Sequence, residues 1–151
     1  SDVYKRQTVY YGDEAGVCGF TDPDNRRTYP WGHEDKELID FHKAAIKMHK
    51  ENEVLRTGSY KQLYSAHNVI AYGRFTSDDA VIVVVNNGED EIRVNIPAWE
   101  TGLAMDDDVE QIMVTFEGGY STDRQGYRLK DGILNIGLRK TSATVLRRLR
   151  W

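Results

Sequence analysis

The 151 residues are 40% hydrophobic and 29% charged, a balance that allows a globular core and by itself assigns no function. The 20 basic and 24 acidic side chains give a formal net charge of −4, which offers no basic field for a polyanion, so nucleic acid and anionic membranes are excluded as expected partners. Cys18 is the only cysteine, which excludes an intramolecular disulfide, and no apolar run approaches the roughly 18 residues of a membrane helix.

In chain order, Thr8-Val-Tyr-Tyr11 is uninterrupted β-branched and aromatic sequence and predicts a strand buried on both faces. Gly12 ends it, and Asp13 and Glu14 follow at the strand end. A polar loop then runs through Thr21-Asp-Pro-Asp-Asn-Arg-Arg27 and Tyr29-Pro-Trp31. From Lys36 to about Glu51, Leu38, Phe41, Ala45 and Met48 recur at intervals of three and four, predicting a helix with one buried stripe. Glu34, Asp35 and Glu37 near its start and Lys43, Lys47 and Lys50 late in it match the helix dipole. His42 and His49 lie seven apart, which is not the spacing of a zinc-chelating pair. A strand ending in acids, then a long loop and a helix, is the form of one βα unit of a (β/α)8 barrel, whose active face is built from such strand ends and loops.

After Gly58 the period changes to two. Residues 68–75, 80–85, 91–96, 110–116, 132–138 and 143–149 read as strands, with weaker ones at 58–64 and 126–129. Asn86-Asn87-Gly88, Glu117-Gly118-Gly119 and Asp131-Gly132 supply turn residues that tolerate positive φ. Alternation in Ile92-Arg-Val94-Asn-Ile96 predicts one wet and one dry face, whereas Val81-Ile-Val-Val-Val85 predicts a central strand covered on both sides. Short strands at this spacing make an antiparallel β-sandwich. The expected fold is therefore mostly β with one long helix, a βα barrel unit followed by a sandwich, with the boundary between Glu51 and Gly58 as a tight packed joint.

Glycoside hydrolysis requires two carboxyl groups facing each other, about 5 to 5.5 Å apart for retention or about 6.5 to 9.5 Å for inversion. Adjacent Asp13 and Glu14 on a strand end point to opposite faces and cannot both reach one bond. Asp22 and Asp24 lie beside Arg26 and Arg27, and ion-paired acids of lowered pKa are unsuited to act as general acids. Asp106-Asp107-Asp108 lacks the spacing and glycine of an EF-hand and reads as a solvated loop. No metal ligand set and no cofactor are expected. Arg147-Arg148-Leu149-Arg150 reads as a solvated strand face.

Tyr10-Tyr11-Gly12-Asp13-Glu14, Asp22-Pro23-Asp24-Asn25-Arg26-Arg27 and Asp35-Lys36-Glu37-Leu38 resemble the last barrel strand, the loop after it and the start of the final barrel helix of the α-amylase superfamily, in the branch of neopullulanases, cyclomaltodextrinases and maltogenic amylases, whose pattern continues through Leu55-Arg56-Thr57-Gly58 into a C-terminal β-sandwich. The resemblance spans residues 8–149, with its distinctive motifs in 8–58. It implies a C-terminal fragment of a larger hydrolase. Residues 8–55 would be the terminal strand, loop and helix of the catalytic barrel, 56–151 the C-terminal sandwich, and Ser1–Gln7 a foreign or disordered leader, since they do not match the apolar approach to this strand.

The resemblance further implies that the whole protein cleaves α-1,4 glucosidic bonds of maltodextrin, cyclodextrin or pullulan-type substrates with retention, and leaves α-1,6 bonds open. Its catalytic acids sit on earlier strands, so no catalytic residue is carried over and this stretch alone is expected to be inactive. Asp22 and Arg26 map onto substrate-binding positions of a donor-side glucose subsite, and a purely structural ion pair fits the same residues. Tyr10 and Tyr11 read as barrel packing, Trp31 as a plug over the helix, and Glu14 as a brace. A cytoplasmic location and a homodimeric parent complete the expectation. The competing reading is a non-catalytic carbohydrate-binding or interaction β-sandwich.

Overall fold

A computed structural model describes residues 8–149. It divides into two compact units between Met48 and His49.

Among its described residues the first unit contains no strand. Residues Thr8–Tyr10 are irregular, Tyr11 and Gly12 form a turn, and Asp13–Ala15 is a single 3-10 turn. The strand expected over Thr8–Tyr11 is therefore corrected. Apolar, β-prone side chains are not sufficient, because a strand requires a partner ladder for its N–H and C=O groups. No described residue before Ser59 is in a strand to supply one. Val9, Tyr10 and Tyr11 are instead 60%, 49% and 47% exposed. Asp13 and Glu14 accordingly lie in a 3-10 turn and not on a pleated strand end, which removes the opposite-faces argument as first framed.

The helix α1, Lys36–Glu51, has the expected bounds. Asp35 caps it, its Oδ1 accepting the Leu38 N–H at 2.9 Å, which satisfies one of the orphan donors of the first turn. Its apolar stripe is present but only half-buried: no residue of α1 is buried, and Ile46 is 49% exposed. A second, short helix α2, Glu53–Thr57, follows extended Asn52 and ends at Gly58. A Cβ at Gly58 would stand 2.4 Å from the Val54 carbonyl oxygen and 2.9 Å from the Phe75 nitrogen, so only glycine lets the chain pass directly from α2 into a strand.

Among its described residues the second unit holds nine strands: β1 Ser59–Ala66, β2 Val69–Phe75, β3 Ala80–Asn86, β4 Ile92–Pro97, β5 Asp108–Phe116, β6 Gly119–Ser121, β7 Gln125–Arg128, β8 Ile133–Leu138 and β9 Ser142–Arg148. One antiparallel sheet runs β1-β2-β3-β9-β5-β6, with β7 also paired to β5. A second holds β4 and β8 alone, in the register Arg93 opposite Gly137 and Asn95 opposite Asn135. Bulges interrupt β1 between Gln62 and Tyr64 and β5 between Gln111 and Met113.

The two sheets share one core. Ile82 and Leu146 from the large sheet meet Ile96, Leu134 and Ile136 from the small one, and none of these exceeds 1% exposure. Burying each such side chain stabilises by about 1.5 to 3 kcal/mol. The expected alternation on β4 holds in its inner half: Val94 and Ile96 are buried while Arg93 and Asn95 are exposed. As expected for a central strand, β3 lies between β2 and β9, with Val81 and Ile82 fully covered and Val83 and Val85 half-buried.

Turn chemistry is realised unevenly. Asp131 and Gly132 adopt φ values of 52° and 76° between Lys130 and Ile133, forming the tight turn their sequence predicts. Asn86-Asn87-Gly88 does not form a hairpin, because β3 and β4 lie in different sheets. The buried Asn86 side chain serves the crossover instead. Its amide donates to the carbonyls of Asp90 and Arg139, both at 2.9 Å, and its Oδ1 accepts the Gly88 N–H at 2.9 Å.

Candidate functional site

The loop from Gly19 to Arg27 is held by its own backbone. The Asn25 N–H donates to the Thr21 carbonyl at 3.2 Å and the Arg26 N–H to that of Pro23 at 3.1 Å, about a 3-10 turn at Asp24–Arg26. The Asp22-Pro23 peptide bond is cis. A Cβ at Gly19 would stand 2.6 Å from the Asn25 Cα, so the loop closes on that glycine. Tyr11 fastens it from the preceding segment, its hydroxyl donating to the Arg27 carbonyl at 3.0 Å.

Two ion pairs then stand side by side. Arg26 grips Asp22 with both limbs of its guanidinium, Nε to Oδ1 and Nη2 to Oδ2 each at 3.2 Å. Arg27 grips Asp24, Nε to Oδ1 at 2.8 Å and Nη2 to the same oxygen at 2.6 Å. The bidentate Asp22–Arg26 pair is thus found as sequence reasoning expected. The Asp24–Arg27 pair, at i, i+3 spacing, likewise agrees with the expectation that both acids are ion-paired. Both pairs are open to water, with 69% and 62% of the Arg26 and Asp22 side chains exposed. Water screens both pairs, so their weight in stability is small. The hydrogen bond from Arg27 holds the Asp24 carboxyl below its ordinary pKa, as expected of a paired acid.

Around this loop the groups are mostly exposed. Trp31 is 80% exposed and its ring lies 4.7 Å from that of Tyr29, so the plug expected of it is not formed. Next to it Gly32 has φ 81°, and its N–H donates to Glu34 Oε1 at 3.0 Å, which keeps the Glu34 carboxyl below its usual range. Desolvation, with the nearby Glu14 and Glu34 carboxylates, raises the Tyr29 phenol. Tyr10 and Tyr11 pair with each other at 4.7 Å, and desolvation, then Tyr10 itself, raises the Tyr11 phenol. Asp13 Oδ2 accepts the Tyr10 N–H at 3.0 Å and serves the turn. The Asp35 N–H donates to the Ala15 carbonyl at 3.2 Å, tying that turn to the start of α1.

Chemically, the loop presents fixed carboxylate acceptors and planar guanidinium donors at an open surface, a set that matches vicinal hydroxyls of a sugar. It presents no opposed carboxyl pair: Asp22 and Asp24 are each engaged by an arginine.

Elsewhere, Asp106 and Asp108 lie near Arg128, at 4.0 and 3.9 Å, and Asp107 pairs with Arg148 at 3.1 Å, so the acidic triplet is divided among cations. Among the described residues, no group of three or more His, Cys, Asp or Glu side chains is arranged to hold a metal, and no helix is long and apolar enough to cross a membrane. The His42 ring is taken up at Nδ1 by the Leu38 carbonyl at 2.9 Å. Cys18 is exposed.

The chain, mostly β with one long helix, superposes on part of solved α-amylase-type enzymes. An α-amylase from Geobacillus thermoleovorans, solved with acarbose, superposes with a TM-score of 0.77 over 93% of this chain and 29% of its own, at 23% identity. In sequence the chain is similar to an amylopullulanase of Thermoanaerobacter thermohydrosulfuricus, 44% identical over 93 residues that cover 54% of this chain and 6% of that protein. It is likewise similar to a cyclomaltodextrinase of Thermoanaerobacter pseudethanolicus, 42% identical over 81 residues covering 52% of this chain and 14% of the relative. The chain thus spans well under a fifth of the curated relatives it matches. No protein-family model matches it. The resemblance to cyclomaltodextrinase and neopullulanase-type enzymes is carried by sequence as well as by fold.

Proposed function

We propose that this chain is the C-terminal part of an α-glucan hydrolase: residues 8–55 as the terminal βα unit of a (β/α)8 barrel, followed in sequence by a β-sandwich domain from residue 56. In this reading Asp22 and Arg26 contact a glucose unit. The catalytic carboxyl groups are contributed by other barrel strands of the whole protein, which cleaves α-1,4 glucosidic bonds with retention, α-1,6 cleavage being the open question that pullulan decides. The observation that carries the reading is the solvent-open bidentate Asp22–Arg26 pair on a loop that is preordered by its own hydrogen bonds. A guanidinium locked to a carboxylate is already oriented, so it can meet a sugar's hydroxyls with little further ordering. The strand expected at Thr8–Tyr11 forms, in this reading, only when a neighbouring strand supplies its ladder.

The test is hydrolysis. Purified chain of these 151 residues, incubated with β-cyclodextrin, maltoheptaose and pullulan, is expected to release no glucose, maltose or panose. Release of any of these products overturns the assignment of catalysis to other strands. In a whole hydrolase carrying this segment, Asp22→Ala is expected to raise KM for cyclodextrin about tenfold, the size of one lost charge-assisted hydrogen bond. An unchanged KM and kcat would remove the loop from the substrate site.

A further inference from the structure

Asn87-Gly88 is the one Asn-Gly pair in the sequence. An asparagine followed by glycine can deamidate without an enzyme, because glycine carries no Cβ to obstruct the approach of its own backbone nitrogen to the asparagine side chain. The Gly88 nitrogen attacks Cγ of Asn87. A new N–Cγ bond forms, the Cγ–Nδ2 bond breaks, and the Gly88 proton leaves with Nδ2 as ammonia. Water then opens the five-membered imide at either carbonyl, giving aspartate or, with the chain rerouted through the side chain, isoaspartate. The first step needs an accessible side-chain amide and a backbone nitrogen free to shed its proton.

The fold supplies the first condition and withholds the second. Asn87 is exposed, whereas Gly88 is buried. The Gly88 N–H, whose hydrogen must be lost, donates to Asn86 Oδ1 at 2.9 Å in a buried bond. That acceptor is itself fixed: Asn86 is 2% exposed, and its amide donates to the Asp90 and Arg139 carbonyls, both at 2.9 Å. The backbone on either side is held as well. The Asn87 N–H donates to the Asn68 carbonyl at 2.8 Å, and the Gly88 carbonyl accepts the Thr141 N–H at 2.9 Å. Gly88 has little room to pivot, since a Cβ there would stand 3.0 Å from Asn86 Oδ1 and 3.4 Å from Asn68 Cβ. Ring closure therefore waits for the Gly88 N–H bond to break, which is a local opening of the crossover.

We infer that Asn87 is a spontaneous modification site gated by the fold, with Asn86 as its guard: the pair is inert while Asn86 holds the Gly88 N–H and reacts when the β3–β4 crossover opens. The product bears on the same crossover. A carboxylate at position 87 joins Glu89, Asp90 and Glu91 in one short run and adds one negative charge to the formal −4 of the chain. Isoaspartate also lengthens the backbone between the bond to Asn68 and the bond to Thr141. Both changes oppose reclosure, so the reaction turns a transient opening into a lasting one.

The experiment incubates the 151-residue chain at mildly alkaline pH and follows conversion at Asn87 by peptide mass spectrometry, with chromatography to separate the aspartate and isoaspartate products. Folded wild type should convert about tenfold more slowly than the same chain in denaturing urea, the factor that one hydrogen bond of ordinary strength supplies. Asn86→Ala releases the Gly88 N–H and should convert about tenfold faster than wild type. Gly73→Ala strains the sheet elsewhere, against Thr101, and leaves the Gly88 bond intact, so its rate should stay within about twofold of wild type. Circular dichroism verifies that each chain is folded. Equal wild-type rates in buffer and in urea overturn the inference, as does folded Asn86→Ala converting at the wild-type rate. Acceleration by Gly73→Ala equal to that by Asn86→Ala also overturns it, because general unfolding and not the guard would then set the rate. Should Asn86→Ala fail to fold, wild type and Gly73→Ala, each in buffer and in urea, decide the question by the same criteria.

Discussion

Asn86→Ala is the substitution whose cost follows most directly from the structure. Asn86 is 2% exposed, and its side chain makes three hydrogen bonds that join the β3–β4 crossover to the segment entering β9. Alanine removes both donors and the acceptor, leaving the Gly88 N–H and the carbonyls of Asp90 and Arg139 without these partners. At about 1 kcal/mol per bond the loss is about 3 kcal/mol. With a urea m-value near 1.5 kcal/mol/M for a unit of this size, the midpoint falls by about 2 M at constant m. The assay is urea unfolding followed by far-ultraviolet circular dichroism, with Asn135→Ala as control. That residue also makes two short side-chain bonds, to Arg93 and Asn95, but on an exposed face, and should change stability by less than about 0.5 kcal/mol. A loss below about 1 kcal/mol for Asn86→Ala, or equal losses for the two variants, would refute the claim that the buried amide holds the crossover.

Gly73→Ala should cost about 1 to 3 kcal/mol by overpacking, because its Cβ would stand 2.4 Å from Cγ2 of Thr101, which is 1% exposed; thermal unfolding measures it. Arg147→Ala withdraws the two-limbed partner of Asp79, whose side chain is 12% exposed, and should cost about 2 kcal/mol by urea unfolding, against less than about 0.5 kcal/mol for Arg26→Ala at the open loop. The Asp24 carboxyl is held low in the folded chain, so its contribution is full above the ordinary aspartate value near 3.9 and is lost as pH falls through the depressed one. The Arg27 Nε–H signal should therefore persist at pH 4 and vanish only in stronger acid; loss already at pH 5 would contradict the pairing.

The β-rich unit was legible because its signals are local. The alternation in Ile92–Ile96, the apolar run Val81–Val85 and the Asp131-Gly132 turn each state one strand, face or bend, and the structure realises them. What escaped has physical reasons. The three-residue β6 exists only because it pairs with the end of β5, and α2 is too short for its period to register. Asn86-Asn87-Gly88 reads as a hairpin turn until the partition of β3 and β4 between sheets is known, which no local pattern encodes. Thr8–Tyr11 carries strand propensity without a ladder to join, and propensity yields to that lack. At the candidate site, the i, i+4 spacing of Asp22 and Arg26 disclosed the ion pair. The exposure of Trp31 was hidden, since sequence cannot say what lies above an indole. The Arg93–Asn135–Asn95 ladder was half visible, as the wet face of β4, but its partner lies 40 residues away on β8.

In the first unit, Ala15 is the only hydrophobic side chain among the described residues that is buried. A methyl group cannot anchor a cooperative transition, because the apolar surface withdrawn from water sets both the enthalpy and the heat-capacity step. Scanning calorimetry should consequently record one sharp endotherm belonging to residues 49–149, with Val9–Trp31 contributing only a sloping baseline. Phe20 and Trp31, 96% and 80% exposed, should meanwhile bind a fluorescent dye such as anilinonaphthalene sulfonate well below that temperature.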